Sequence, residues 1–407
     1  MLWLNLILFA VLTAGHTELL VTLVNRLHGQ PIHGGPLRHV RHLHDVLIPL
    51  FPIVLVAAVG FGGPGLLTGG RWADLTTGWM IYLGLCALGF GGLLFSTARW
   101  TLRTVPSTQL TNYSRTVDIE RRLGYRPIAD GPHKMLTAVP GNDIFRLEIS
   151  EKEYRLPGLP KEWDGLSILH FSDLHYIGTI NRPFFDQVID FAVDMQADLI
   201  VFTGDLLDRQ HLTAWLPETL GRLSARLGCF FILGNHDWEY GLEPDAIRDA
   251  MSELGWQDTA GKVVRIDHNG RTLAIGGTEL PWMGTHPNFS EAPDGSFRLL
   301  LSHTPDNLRW ARTENVDLML SGHNHGGQVV LPIIGPVYSP SRYGVRYAGG
   351  AYWEEPTLLY VSRGISGRHP LRINCLPELT KLVLRSPEPD SYREAMQEAT
   401  LDVRVGV

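Results

Sequence analysis

Leu166-Ser167-Ile168-Leu169-His170-Phe171 runs directly into Ser172-Asp173-Leu174-His175, and the same pattern recurs down the chain. Residues 198–203 lead into Gly204-Asp205-Leu206-Leu207-Asp208-Arg209, and residues 229–233 into Gly234-Asn235-His236-Asp237. Residues 299–302 lead into His303, and residues 317–320 into Ser321-Gly322-His323-Asn324-His325-Gly326-Gly327. Each run is short, apolar and bounded by Gly, Asp or Pro, which is how a strand buried on both faces of an α/β sheet reads. Residues 272–275 and 358–361 read the same way, while 183–195 and 243–254 have helical spacing. The fold class is therefore α/β, and its strand exits, where such sheets collect ligands, carry carboxylates, imidazoles and one carboxamide.

A single Asp after a strand is usually a turn former or helix cap, and a single buried His is usually a hydrogen-bonded core residue. Five strand ends that all carry N and O donors, with Gly204, Gly234 and Gly322 allowing close backbone approach, point instead to one shared site. Asp and His with one Asn and no thiolate suit two divalent cations drawn from manganese, iron, zinc or magnesium, and not a soft metal. Such a pair lowers the pKa of bound water and holds phosphoryl oxygens, which is the chemistry of phosphoester hydrolysis.

The ordered motifs DxH, GDxxDR, GNHD, a lone His and GHxH resemble the calcineurin-like metallophosphoesterases over residues 144–385. That resemblance implies an αββα sandwich with a dinuclear site at its edge. It implies Asp173, His175 and His325 as ligands of one metal, Asn235, His303 and His323 of the other, and Asp205 as the bridge. It further implies His236 as general acid or phosphate contact, Asp208 as its orienting carboxylate and Arg209 as a phosphate contact. Asp237 is the rival partner for His236. Asn324 stands where relatives usually have Thr. The runs Gly326-Gly327-Gln328, Tyr360-Val361-Ser362-Arg363-Gly364 and 372–378 resemble a membrane-tethered, YkuE/YaeI-like subgroup similar to the transmembrane UDP-2,3-diacylglucosamine hydrolase of lipid A synthesis. Arg363 and Arg372 read either as structural or as substrate-phosphate arginines.

Outward from this core the chain changes character. Its 407 residues hold 35 basic and 42 acidic side chains, but residues 1–98 hold only seven: Glu18, Arg26, Arg38, Arg41, Asp45, Arg71 and Asp74. Residues 46–70 and 75–98 are uncharged and long enough to cross a bilayer. Residues 1–25 read as a third span despite His16 and Glu18; a signal peptide is the rival, but MLWLN has no cationic start. Pro49, Pro52 and Pro64 are expected to kink the second span. With three crossings, Arg26, Arg38 and Arg41 share a side with Arg99 and Arg103, and the positive-inside rule makes that side cytoplasmic. The domain plan is thus a membrane region at 1–98, a juxtamembrane connector at 99–143 with a short helix near 118–123, the catalytic domain at 144–385 and a tail at 386–407. His28, His33, His39, His42 and His44 read as a solvated or interfacial loop, with a metal or haem site as the alternative.

The formal net charge of −7 without a basic run argues against nucleic acid as partner. Cys86, Cys229 and Cys375 are far apart and form neither a disulfide framework nor a CxxC site. Ligand set and tether together lead to a membrane-anchored phosphoesterase of the inner (plasma) membrane. It would cleave a phosphodiester or pyrophosphate in a lipid-linked substrate such as UDP-2,3-diacylglucosamine. A hydrolase of soluble nucleotides or phosphoproteins is the first alternative, and a non-catalytic membrane sensor the second. Loops 238–243, 280–289 and 332–352 are rich enough in aromatics and glycine to cover a substrate.

Overall fold

The computed structural model describes residues 1–31, 34–239 and 241–388, apart from the side chains at 34–36 and 38. His33 and most of the expected tail, residues 389–407, lie outside them. Three helices are long and apolar enough to cross a membrane: α1 (Leu2–His28), α2 (Gly34–Leu55, continued by a π-helical stretch Val56–Phe61) and α3 (Thr77–Thr101). The second span differs from the 46–70 expected. It begins earlier and stops at Phe61, because Gly62, Gly63, Pro64 and Gly65 cannot continue a helix. Pro64 therefore lies in the turn beyond the span, whereas Pro49 and Pro52 lie inside it. The π-helical stretch follows those two prolines, a local adjustment of the kind that re-satisfies the backbone groups they free. His16 finds partners on both neighbouring helices. Its Nδ1 is 2.6 Å from the Tyr82 hydroxyl, its Nε2 3.2 Å from the Leu47 carbonyl, and its ring stacks on Phe51. His39, His42 and His44 stand on α2 rather than in a loop, and among the described residues no metal-holding group includes them.

The larger sheet begins earlier than the sequence patterning indicates. Within the stretch read as connector, β1 (Gln109–Asp118) forms an edge strand, too polar and exposed to show an apolar alternation. It is followed by α4 (Ile119–Leu123), whose N-cap Asp118 accepts from the Arg121 amide. Then come β2 (Arg146–Arg155), β3 (Ser167–Phe171), α5 (Arg182–Asp194), β4 (Leu199–Thr203), β5 (Cys229–Ile232), α6 (Pro244–Glu253), β6 (Trp256–Asp258), β7 (Val263–His268), β8 (Arg271–Thr278), β9 (Phe297–Ser302), α7 (Leu308–Thr313) and β10 (Leu318–Ser321). A two-stranded hairpin, β11 (Val330–Leu331) with β12 (Gly335–Pro336), precedes β13 (Gly350–Glu354), β14 (Thr357–Val361) and β15 (Glu378–Arg385).

Two sheets result, in the orders β1-β2-β15-β3-β4-β5-β6 and β13-β14-β10-β9-β8-β7. In β3, β4 and β5 alternate residues face opposite layers. Leu169, Phe171, Ile200, Phe202 and Phe231 pack with Phe184, Val188, Ile247 and Met251 of α5 and α6. Ile168, Val201, Phe230 and Ile232 pack with Leu299, Leu301, Leu318 and Leu320 of the second sheet. The far face of that sheet is covered around Leu308 and Ala311 of α7. This is an αββα sandwich, and double-sided burial explains why its strands read as unbroken apolar runs.

The long apolar helices end on this sandwich. Asn25, near the end of α1, donates to the Val337 carbonyl and accepts from the Ser339 amide, while Arg342 donates to the Gly29 carbonyl. Arg103, just beyond α3, donates to the carbonyls of Gly349 and Ala351 and lies over the Tyr352 ring. Both ends therefore hold segment 332–352. Phe202 is fully buried between strand and helix layers. Truncating it to Ala is expected to cost about 3–5 kcal/mol and to lower Tm by on the order of 10 °C, read from the melting of the detergent-solubilised chain.

Candidate metal centre

All the motif residues lie where parallel strands of both sheets end, after β3, β4, β5, β9 and β10. Of the seven residues expected as ligands, Asp173, His175, Asp205, His323 and His325 have positive φ, a conformation non-glycine residues rarely hold unless surroundings over-determine it. The crossing is tight. A Cβ on Gly234 would lie 2.1 Å from Asp205 Oδ1, and one on Gly322 2.5 Å from Asp173 Oδ2.

The side chains converge as two groups that share Asp205: Asp173, His175, Asp205 and His325, and Asp205, His303 and His323. Within each, the donor atoms lie within 4.8 Å of one another. Three histidines have their outer nitrogen engaged: His175 Nδ1 with Asp208 Oδ2 at 2.9 Å, His303 Nδ1 with the Thr203 carbonyl at 2.7 Å, and His323 Nε2 with the Pro340 carbonyl at 2.9 Å. Read as N–H donors, these fix tautomers that turn a lone pair inward. His303 Nε2 then faces Asp205 Oδ2 at 3.2 Å, and His175 Nε2 faces the same oxygen at 3.4 Å and His325 Nε2 at 3.3 Å. Groups this close need protons or cations between them: His325, which takes Arg372 at Nδ1, and a protonated His303 can each supply a proton from Nε2, and cations lying among the side chains would replace those protons. Asp205 Oδ2 and Asn235 Oδ1 are buried without a hydrogen-bond partner. Hard oxygen and imidazole donors, with no thiolate, fit divalent cations. Asn235 sits one residue before His236, whose amide donates to Asp205 Oδ1 at 2.9 Å.

The charges are correspondingly displaced. Burial opposes the charged form of His236, but Asp205 and Asp208 outweigh it and push the imidazole up to about 10. His303 is pushed up to about 9 against burial, chiefly by Asp205. Burial acts to raise Asp208, yet His175 and His236 hold it far below the usual carboxylate range. Burial and then the charge of Asp205 push Asp237 up to about 7.

Asp208 touches two imidazoles, His175 as above and His236 Nδ1 at 3.0 Å. Asp237 is occupied elsewhere: it accepts from the amides of Leu206, Leu207 and Gly234 and caps the loop. Arg209 is exposed at the head of the turn Gln210–Trp215. Arg363 is paired with Glu148 at 2.8 Å and Glu378 at 2.7 Å, and Glu378 also meets Lys152 at 3.0 Å. Arg372 is fully buried and donates to the carbonyls of His325, Arg363 and Ser366, with Nη2 3.3 Å from His325 Nδ1. Both arginines thus support the ligand loops. Asn324 turns away, its Nδ2 donating to the Tyr347 carbonyl. Sequence reasoning missed Arg368, whose Nε is 4.0 Å from Asp208, and Glu239, which pairs with Arg368 at 2.6 Å and lies 3.5 Å from His236. Neither sits in a motif; only the fold brings segment 364–370 to the strand exits. Trp282, from loop 280–289, sets its ring 4.9 Å from that of His323.

A sandwich with two donor groups sharing one carboxylate defines a class, the metal-dependent phosphoesterases of two-sheet architecture. The family profile of calcineurin-like phosphoesterases matches residues 166–327. An uncharacterized metallophosphoesterase, YkuE of Bacillus subtilis, is 34% identical over 256 residues, 59% of this chain and 86% of its own. Phosphodiesterase YaeI of Escherichia coli is 32% identical over 222 residues, 53% of this chain and 81% of its own. UDP-2,3-diacylglucosamine pyrophosphatase LpxG of Chlamydia muridarum is 25% identical over 288 residues, 57% of this chain and 88% of its own. The chain belongs to the calcineurin-like phosphoesterases, enzymes that hydrolyse phosphoric esters at a dinuclear metal site.

His236 and His303 both carry folded pKa values above the ordinary 6.5, so their protonation stabilises the metal-stripped fold fully below that pH. That contribution is lost as pH rises through about 9 and 10. Melting curves of chelator-treated protein are expected to show Tm falling over this window, and Asp208→Asn to flatten the fall.

Proposed function

We propose that this chain is a membrane-anchored phosphoesterase that cleaves a phosphodiester or pyrophosphate in a lipid-linked substrate, with UDP-2,3-diacylglucosamine the leading candidate and UMP and a lipid phosphate the products. One observation carries the reading. Segment 332–352 accepts a hydrogen bond from His323 through the Pro340 carbonyl and is held by Asn25, Gly29 and Arg103 at the ends of two apolar helices. The donor cluster is thus one loop from the bilayer, where a headgroup can reach it while the acyl chains stay in place. The relation to LpxG supports the same substrate.

In this reading Asp173, His175 and His325 hold one cation and Asn235, His303 and His323 the other, with Asp205 shared. Manganese is the first choice, with iron, zinc or magnesium as alternatives. When bound, the pair supplies Lewis acidity toward a phosphoryl group and acidifies bound water. Asp208 fixes the rings of both His175 and His236 and favours the imidazolium of His236. With Nδ1 given to Asp208, His236 keeps Nε2 to protonate the departing oxygen. Arg209 and Arg368 are the cations available to a second phosphate. In the same reading 1–98 is the membrane region, and the positive-inside rule applied to Arg26, Arg99 and Arg103 supports a catalytic domain on the cytoplasmic side of the inner (plasma) membrane.

The test is turnover of UDP-2,3-diacylglucosamine by the detergent-solubilised full chain, with a water-soluble aryl phosphodiester alongside. Chelation is expected to abolish turnover and added manganese to restore it, and Asp205→Asn to reduce it to background. His236→Ala should lower kcat by roughly 10²–10⁴-fold on the lipid, and far less on an aryl diester whose leaving group needs no proton. Hydrolysis of the soluble diester alone would move the reading to a soluble substrate, and unchanged turnover by Asp205→Asn would refute the shared carboxylate.

A further inference from the structure

The hairpin of β11 and β12 has no role in the chemistry above, yet it is built unusually. It follows His325 after only Gly326-Gly327-Gln328-Val329, and its tip is Pro332-Ile333-Ile334. Ile333 is 76% exposed and Leu331 38%. Ile333 also holds φ +70, where a β-branched residue is a steric outlier and Gly or Asn is the usual occupant. A strained, exposed isoleucine gives nothing to the sandwich core. Its neighbours say what it faces. The backbone of Gly335 lies against the Trp100 indole, so close that a Cβ there would be 2.6 Å from the ring. Trp100 belongs to the last turn of α3, the position at which tryptophan marks the membrane–water interface. Immediately beyond it, Leu102 and Val105 are 78% and 67% exposed, while Arg99 and Arg103 supply cations at headgroup level. The apolar tip is therefore continuous with the lipid-facing surface of a membrane helix.

We propose that this hairpin is an interfacial anchor: Leu331 and Ile333 enter the acyl boundary of the bilayer beside Trp100, together with Leu102 and Val105, and hold the His323–His325 loop at headgroup depth. The proposal rests on α3 crossing the bilayer and on no particular substrate. Its occupant is lipid, chosen over a second copy of the chain because the tip adjoins the end of a membrane span.

The experiment uses the full chain in liposomes of phosphatidylcholine and phosphatidylglycerol. Cys86, Cys229 and Cys375 are all buried. Mild labelling of Ile333→Cys, and separately of Leu331→Cys, with an environment-sensitive nitrobenzoxadiazole dye is therefore selective, with the unsubstituted chain as background. A dye on Asn269→Cys is the control, since Asn269 follows β7 at the end of the sheet opposite Thr278 and the strand exits. The expected result is blue-shifted emission at 331 and 333, quenched by nitroxide carried high on lipid acyl chains and protected from aqueous iodide, with the reverse at 269. Iodide quenching at 333 equal to that at 269 would overturn the proposal. So would blue-shifted emission that lipid nitroxide leaves untouched, which means protein contact. The readout needs no turnover, so failure of the phosphoesterase assay leaves it standing.

Discussion

Everything in the catalytic half is arranged around one electrostatic problem, the confinement of several lone-pair donors at Asp205. His303 Nε2, His175 Nε2 and the Asp205 carboxylate cannot share a dry space of a few ångströms unless positive charge separates them. The molecule meets this with rigidity. Outer nitrogens are tied to Asp208, Thr203 and Pro340, Gly234 and Gly322 let backbone press against the carboxylates, and Arg363, Glu378 and Lys152 stiffen the loop behind Asp173. Replacing one member with an apolar residue would leave its neighbours facing each other with nothing between.

Much of this is legible in the sequence. The runs before Asp173, Asp205, Asn235, His303 and His323 are apolar without alternation because both faces of their strands are covered, so strand and exit could be read together. What escaped is equally physical. β1 is an exposed edge strand with no apolar face to betray it, and so it resembled a connector. The start of α2 carries Arg41, His42 and His44 in helix, where charge counting sees only a gap between spans. Arg363 and Arg372 could not be assigned from type alone, since a guanidinium suits a carboxylate partner as well as a phosphate. Of their partners, Glu148 and the His325 carbonyl come from far away in the chain, while Glu378 and the carbonyls of Arg363 and Ser366 are near in sequence but meet only when the loop folds back. Arg368 and Glu239 meet only because separate loops close over the strand ends.

Besides the covalent connector, one segment joins the apolar helices to the sandwich. Residues 332–352 receive Asn25 and Arg103 on one side and His323 on the other, so the ends of α1 and α3 and a ring of the donor cluster share one segment. The polar contacts of His16 with Tyr82 and Leu47 tie all three helices together.

The placement of β15 has a bearing on biogenesis. It lies between β2 and β3, pairing Thr380 with both Ser150 and His170, although it is the last of the described strands to be synthesised. The middle of the larger sheet therefore stays open until every other described strand has been made. Closure waits for the final strand, a long-range pairing of the slow kind. Until then β2 and β3 offer open edges of the kind that pair with other chains.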